Sequence, residues 1–117
     1  MARLKVTELD FRRQVIGLAE LLGWEHVGFR AAQTVHGWRT PVTGTLGKGW
    51  PDLVMVRRRD RRLIFAELKA AKGKTSPDQD RVLDVLRCLE YDAAPAPHIE
   101  VFVWQEGDIN AIAEVLR

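Results

Sequence analysis

Two carboxylates and one amine stand out in this 117-residue chain: Asp52 in Gly49-Trp50-Pro51-Asp52, then Glu67 and Lys69 in Glu67-Leu68-Lys69, with 14 residues between the two acids. If the second segment is a strand, its period of two puts Glu67 and Lys69 on one face and Leu68 on the other. Carboxylate oxygens are hard ligands suited to Mg²⁺, an ion that keeps several waters and also grips phosphate oxygens. Such an ion stabilises charge developing on phosphorus and lowers the pKa of a bound water. A neighbouring ammonium can orient that water, help deprotonate it, or neutralise the transition state. Taken singly, a Pro-Asp turn and a Glu-x-Lys strand end read as ordinary structure. Together, at the ends of adjacent apolar strands, they have what phosphodiester cleavage needs.

The elements that must position these groups follow from periodicity. Leu53 to Val56 and Leu63 to Ala66 are apolar on both faces, as strands covered by helices on each side should be. The link between them, near Arg58 to Arg61, is short enough for a hairpin whose turn centres near Asp60. Asp52 then falls opposite Leu68 or thereabouts, and both carboxylates meet at the open end. Upstream, Thr7 is a helix cap, and Leu9, Phe11, Val15, Ile16, Leu18, Ala19 and Leu22 follow a helical period up to Gly23. Trp24 to Phe29 reads as a short strand, and Arg30 to Trp50 as a long loop rich in glycine. Downstream, Ser76-Pro77-Asp78-Gln79 announces a helix through a cap, a proline at its first position and a capping-box glutamine. Its buried stripe would be Val82, Leu83, Val85, Leu86 and Leu89. Pro95 and Pro97 mark a loop, His98 to Trp104 a strand, and Asp108 caps a last helix ending at Leu116. The order αβββαβα predicts an α/β fold, a mixed sheet flanked by helices, in one domain over residues 1–117.

Composition narrows the classes. Hydrophobic residues make up 46% and charged residues 29% in both signs, which excludes a disordered tail. No apolar run approaches the roughly 20 residues that span a bilayer. Met1 to Lys5 lacks a secretory apolar stretch, so a cytoplasmic protein is expected. Cys88 has no second cysteine to pair with and reads as a small buried hydrophobe. His26, His36 and His98 have no metal-ligand spacing. The sequence pI is about 9.0, and the stretch from Arg57 to Lys74 alone carries a net charge of +6, which suggests a polyanionic partner.

Gly49-Trp50-Pro51-Asp52-Leu53, Phe65-Ala66-Glu67-Leu68-Lys69 and Ser76-Pro77-x-Gln79, in that order, resemble the virus-type replication-repair nuclease (VRR-NUC) domain of the PD-(D/E)XK superfamily. The resemblance extends to Glu8 at the start and to Val101 to Trp104 near the end. It implies a restriction-endonuclease-like fold and a DNA nuclease dependent on Mg²⁺ or Mn²⁺. Asp52, Glu67 and the Leu68 carbonyl would bind the metal, and Lys69 would assist the water. Glu8 would complete the site through metal or water, unless it is only an acid favoured at a helix N-terminus. Gln79 would face the site while also capping its helix. Stand-alone members of this size, in phages and bacteria, resemble Holliday-junction resolvases, which implies branched or four-way DNA as substrate and a homodimer. A less selective endonuclease or exonuclease is the alternative. A silent DNA-binding accessory is the other, but it has no need of a carboxylate pair that repels phosphate when no metal is present.

Other residues carry weaker signals. Lys48, Lys72 and Lys74 flank the catalytic end and suit phosphate contacts, as do Arg30 and Arg39 in or beside the long loop. The arginines at 57, 58, 59, 61 and 62 sit at the far end of the hairpin, some 20 Å away at about 3.3 Å per strand residue, and read as a solvated turn. Trp38 and Trp50 could stack on a base, but a tryptophan beside a Pro-Asp turn reads first as core.

Overall fold

The computed structural model describes residues 8–29, 42–91 and 97–117, and the backbone alone of 32–34 and 37–39. Helix α1, Glu8–Leu21, turns Phe11, Val15 and Ala19 inward on one stripe. The proposed cap Thr7 lies outside the described residues. Strand β1 is Glu25–Gly28, shorter than the sequence suggested, because Trp24 leaves the strand path to bury its ring in the core. Part of the expected long loop is a two-stranded antiparallel ribbon, β2 (Ala32–Thr34) with β3 (Gly37–Arg39). Three-residue strands are too short to leave a periodic trace in sequence.

Strands β4 (Leu53–Arg57) and β5 (Arg62–Lys69) form the expected hairpin, joined by a 3₁₀ turn over Arg58–Asp60 that closes on Arg61 at φ 56°. Helix α2, Pro77–Arg87, then crosses to β6, His98–Gln105, and helix α3, Ile109–Leu116, follows. The sheet order is β1-β4-β5-β6, with β1, β4 and β5 antiparallel and β6 parallel to β5. Each face of the sheet has its own core. Leu53, Met55, Ile64, Ala66 and Leu68 pack with Phe11, Val15, Ile112 and Leu116 of α1 and α3. Phe65 and Val101 pack with Val82, Leu83 and Leu86 of α2. This is the α/β, mixed-sheet architecture expected from sequence.

Some expectations fail in instructive ways. Val85 and Leu89 are exposed, because α2 rests on the sheet along the narrower stripe of Val82, Leu83 and Leu86. Cys88 is exposed rather than buried; it is the C-cap residue of α2, and its Sγ donates to the Asp84 carbonyl at 3.4 Å. Asp108 does not cap α3 with its side chain, which instead accepts from the Gln105 N–H at 2.8 Å.

The largest departure is Arg57, which is 2% exposed rather than solvated. Its place on β4 faces α1 and α3, where two helix ends leave carbonyls without intrahelical partners. Arg57 donates to the carbonyls of Leu22, Leu116 and Arg117 at 3.0, 2.7 and 2.9 Å. It also donates twice to Asp60, at 3.0 and 2.8 Å, and lies 4.6 Å from the centroid of the Trp24 ring. All five guanidinium donors are thereby used. Arg62, salt-bridged to Glu100 at 2.9 Å, lies 5.0 Å from the same ring. Replacing Arg57 with Met is expected to cost about 3 kcal/mol of stability, since buried carbonyls lose a charged donor. Urea denaturation measures this, and a loss below about 1 kcal/mol would show that water replaces the guanidinium at little cost.

Candidate active site

The hairpin register pairs Leu53 with Ala66, so one step further along the ladder Asp52 stands level with Glu67, one residue closer than the expected partner Leu68. Phe65 faces the α2 core and Ala66 the other, so Glu67 and Lys69 lie on the α2 face of the sheet. Asp52 is held at both ends. Its carbonyl accepts from the Phe29 N–H at 2.9 Å and from Arg12 Nη2 at 3.0 Å. Its carboxylate Oδ2 accepts from the Leu68 N–H at 2.8 Å. The Leu68 side chain points away into the α1–α3 core.

Glu67 is 1% exposed, a burial rare for a carboxylate without a task. Oε1 accepts from Gln79 Nε2 at 3.0 Å and lies 3.7 Å from Lys69 Nζ. Oε2 is buried and has no hydrogen-bond partner. Gln79 performs two tasks with one amide. Its oxygen accepts from the Ser76 N–H at 2.9 Å while the Ser76 hydroxyl accepts from the Gln79 N–H at 3.2 Å, completing the capping box, and its nitrogen reaches Glu67. The loop before Asp52 is pressed onto the same helix turn. Gly49 has φ 96°, and a Cβ there would lie 2.4 Å from the Asp78 carbonyl oxygen, so only glycine allows this approach.

Burial pushes the Glu67 carboxyl up to about 9, aided by the neighbouring Asp52 carboxylate; Lys69 pulls it down and the Glu8 charge pushes it up. A carboxyl protonated in the folded state and ionised in the unfolded chain stabilises the fold below its unfolded value, and that contribution fades as pH rises toward its folded value. In EDTA the protein is therefore expected to lose stability between about pH 4.5 and about pH 9. Glu67→Gln should remove this part of the slope. The check is the urea midpoint of both proteins across that range; parallel curves would show that Glu67 keeps no proton.

Among the described residues no three His, Cys, Asp or Glu side chains come close enough to hold a metal ion. Glu8, exposed at the first residue of α1, contributes charge but does not make a triad with Asp52 and Glu67. The available protein donors are thus two adjacent carboxylates, one with an orphaned buried oxygen. That is an all-oxygen set of the size Mg²⁺ uses when it keeps several waters.

The VRR-NUC domain model matches residues 36–96, just over half of the sequence. The chain belongs to the VRR-NUC family. No curated protein matches it in sequence. VRR-NUC domains are nucleases of the PD-(D/E)XK superfamily, and the mixed sheet with helices on both faces is the restriction-endonuclease-like fold of that superfamily. The matched VRR-NUC segment holds Asp52, Glu67, Lys69 and Gln79, whereas α1 with Glu8 lies outside it.

The basic residues of this VRR-NUC chain are placed unevenly. Lys72 and Lys74 are exposed on the loop after β5, which is fastened where Gln105 Nε2 donates to the Gly73 carbonyl at 2.8 Å. Lys48 is exposed beside α2 but paired with Asp78 at 3.3 Å, a surface contact worth little. Arg30 and the side chain of Arg39 lie outside the described residues, as do His36 and the Trp38 side chain. Trp50 is packing rather than a stacking platform, edge-on to Phe29 and Phe65 at 6.2 and 5.7 Å. Two participants escaped sequence reasoning. Arg81 donates to the Thr45 carbonyl and ties the loop before Asp52 to α2. Arg12 is buried on the helical stripe of Val15 and Ala19, and a charge in apolar register was the signal that could have revealed it.

Proposed function

We propose that this VRR-NUC protein hydrolyses DNA phosphodiester bonds with Mg²⁺ or Mn²⁺ held by Asp52, Glu67 and the Leu68 carbonyl. The observation that carries this reading is the Asp52–Glu67 pair, in which Lys69 Nζ lies 3.7 Å from Glu67 Oε1 while Oε2 is buried and unpartnered. When bound, the cation supplies positive charge for the phosphoryl oxygens and makes water more acidic. Lys69, 14% exposed, stands where an ammonium can hold the attacking water or meet charge on the phosphate. Gln79 keeps Glu67 from turning away, and Glu8 adds negative charge that favours a cation. Lys48, Lys72 and Lys74, with Arg30 and Arg39, serve as backbone phosphate contacts.

The substrate in this reading is branched DNA, a four-way junction above all, cut by a homodimer in the cytoplasm of a bacterium or phage-infected host, with residues 1–117 acting as one nuclease domain. Support comes from the motif resemblance to junction-resolving members and from the paired incisions that a two-fold dimer supplies. The test is incubation of the pure protein with matched linear, flapped and four-way DNA, with and without Mn²⁺, beside light scattering. Mn²⁺-dependent, symmetric incision of the four-way substrate by a dimer is expected. Equal cutting of all three by a monomer would favour a general nuclease, and tight binding without incision would favour a silent accessory.

A further inference from the structure

Arg12 carries an inference that rests on the reading of Asp52 as a metal ligand. Arg12 is 8% exposed, whereas most other cations among the described residues reach solvent, and its guanidinium reaches the Asp52 carbonyl across β1. The route passes over Gly28. A Cβ built there would lie 2.0 Å from Arg12 Nη2 and 3.2 Å from its Cζ, so the guanidinium occupies the notch left by the missing side chain. The Asp52 carbonyl already accepts from the Phe29 N–H as the β1–β4 ladder runs out. Arg12 adds a second, charged donor at the point where the chain leaves the sheet and enters the site. A charged donor strengthens such a bond roughly twofold. Burying a guanidinium costs several kcal/mol unless its geometry is good, so the arrangement calls for a return.

We propose that Arg12 is a positioning residue: docked in the Gly28 notch, it fixes the Asp52 main chain so that the Asp52 carboxylate is presented to the cation in one orientation. Leu68 fixes one carboxylate oxygen from the β5 side, and Arg12 fixes the backbone from the α1 side. Without the second hold, the residue between Pro51 and Leu53 can pivot, and the distance between the two carboxylates is no longer set. Outer contacts that orient metal ligands are worth about 10- to 100-fold in metal affinity.

Gly28→Ala gives a clean probe. Gly28 is not among the glycines at positive φ, and the nearest atom to the new methyl beyond the Arg12 group is Leu53 Cδ2 at an ordinary 3.6 Å. The flexible end of Arg12 is what must move, so the variant should fold and keep its DNA affinity in EDTA. The experiment is calorimetric titration of Mn²⁺ into the DNA-free protein for wild type, Gly28→Ala, Arg12→Met, Arg12→Lys and Asp52→Asn, with urea midpoints alongside. Gly28→Ala and Arg12→Met are expected to weaken Mn²⁺ binding about 10- to 100-fold, and Arg12→Lys less, since it keeps a charged donor. If Asp52→Asn loses Mn²⁺ while Gly28→Ala binds it like wild type, Arg12 is structural only and the proposal is overturned. If Asp52→Asn itself binds Mn²⁺ like wild type, the metal reading fails and takes the proposal with it. Should Arg12→Met not fold, Gly28→Ala still decides.

Discussion

Asp52→Asn is expected to yield a folded protein that binds DNA at least as tightly as wild type and cuts it roughly 10³-fold more slowly, because a metal's several kcal/mol of transition-state stabilisation goes with its ligand. The substitution keeps an oxygen for the Leu68 N–H, so the strand end has no reason to move. It removes a negative charge from where phosphate must approach, which is why binding should hold or tighten. Glu67→Gln should do the same. Its neutral amide resembles the protonated carboxyl that the buried site favours without a cation, so the fold should not suffer. Single-turnover cleavage at saturating protein, beside affinity in EDTA, separates the two effects. Undiminished cleavage by a folded Asp52→Asn protein would sink the assignment.

Much of this was legible in the sequence, and for physical reasons. The apolar runs around Val54 and Ile64 had to be inner strands, and a short link made them a hairpin, which brings Asp52 to Glu67 whatever the rest of the chain does. Ser76, Pro77 and Gln79 announced a helix start by local chemistry alone, and that chemistry is present. What stayed hidden depends on partners distant in sequence. Arg57 looked like one arginine among five, and only the meeting of α1 and α3 above it made it a buried tie. Arg12 needed the absence of a side chain at Gly28, 16 residues away, to reach Asp52. Cys88 and Leu89 looked like core because apolar residues at helical spacing do not reveal where the helix lifts off the sheet.

Lys69→Ala and Lys74→Ala should fail differently although the residues are only five positions apart. Lys69 is mostly enclosed, 3.7 Å from Glu67 Oε1, and its removal should lower the single-turnover rate by about 10²- to 10³-fold with little change in DNA affinity, as for loss of one transition-state donor. Lys74 is exposed on the loop that Gln105 fastens, positioned for backbone phosphate rather than the reacting phosphorus. Lys74→Ala should weaken binding alike on all sequences and flatten its salt dependence by about one unit of slope, leaving the rate at saturation unchanged. The measurements are rate at saturating protein and affinity across a salt series. If both variants lose only affinity, Lys69 is a phosphate contact and the catalytic reading of Glu-x-Lys is wrong.

The double duty of Gln79 ties two processes that most enzymes keep apart. The same amide closes the first turn of α2 and steadies Glu67, so that turn cannot fray without loosening the acid. Helix ends open more readily than inner strands, often with little cost in overall stability. Mild heat or low denaturant should therefore silence the protein while its sheet still stands, and amide exchange at the start of α2 should keep time with the loss of cutting.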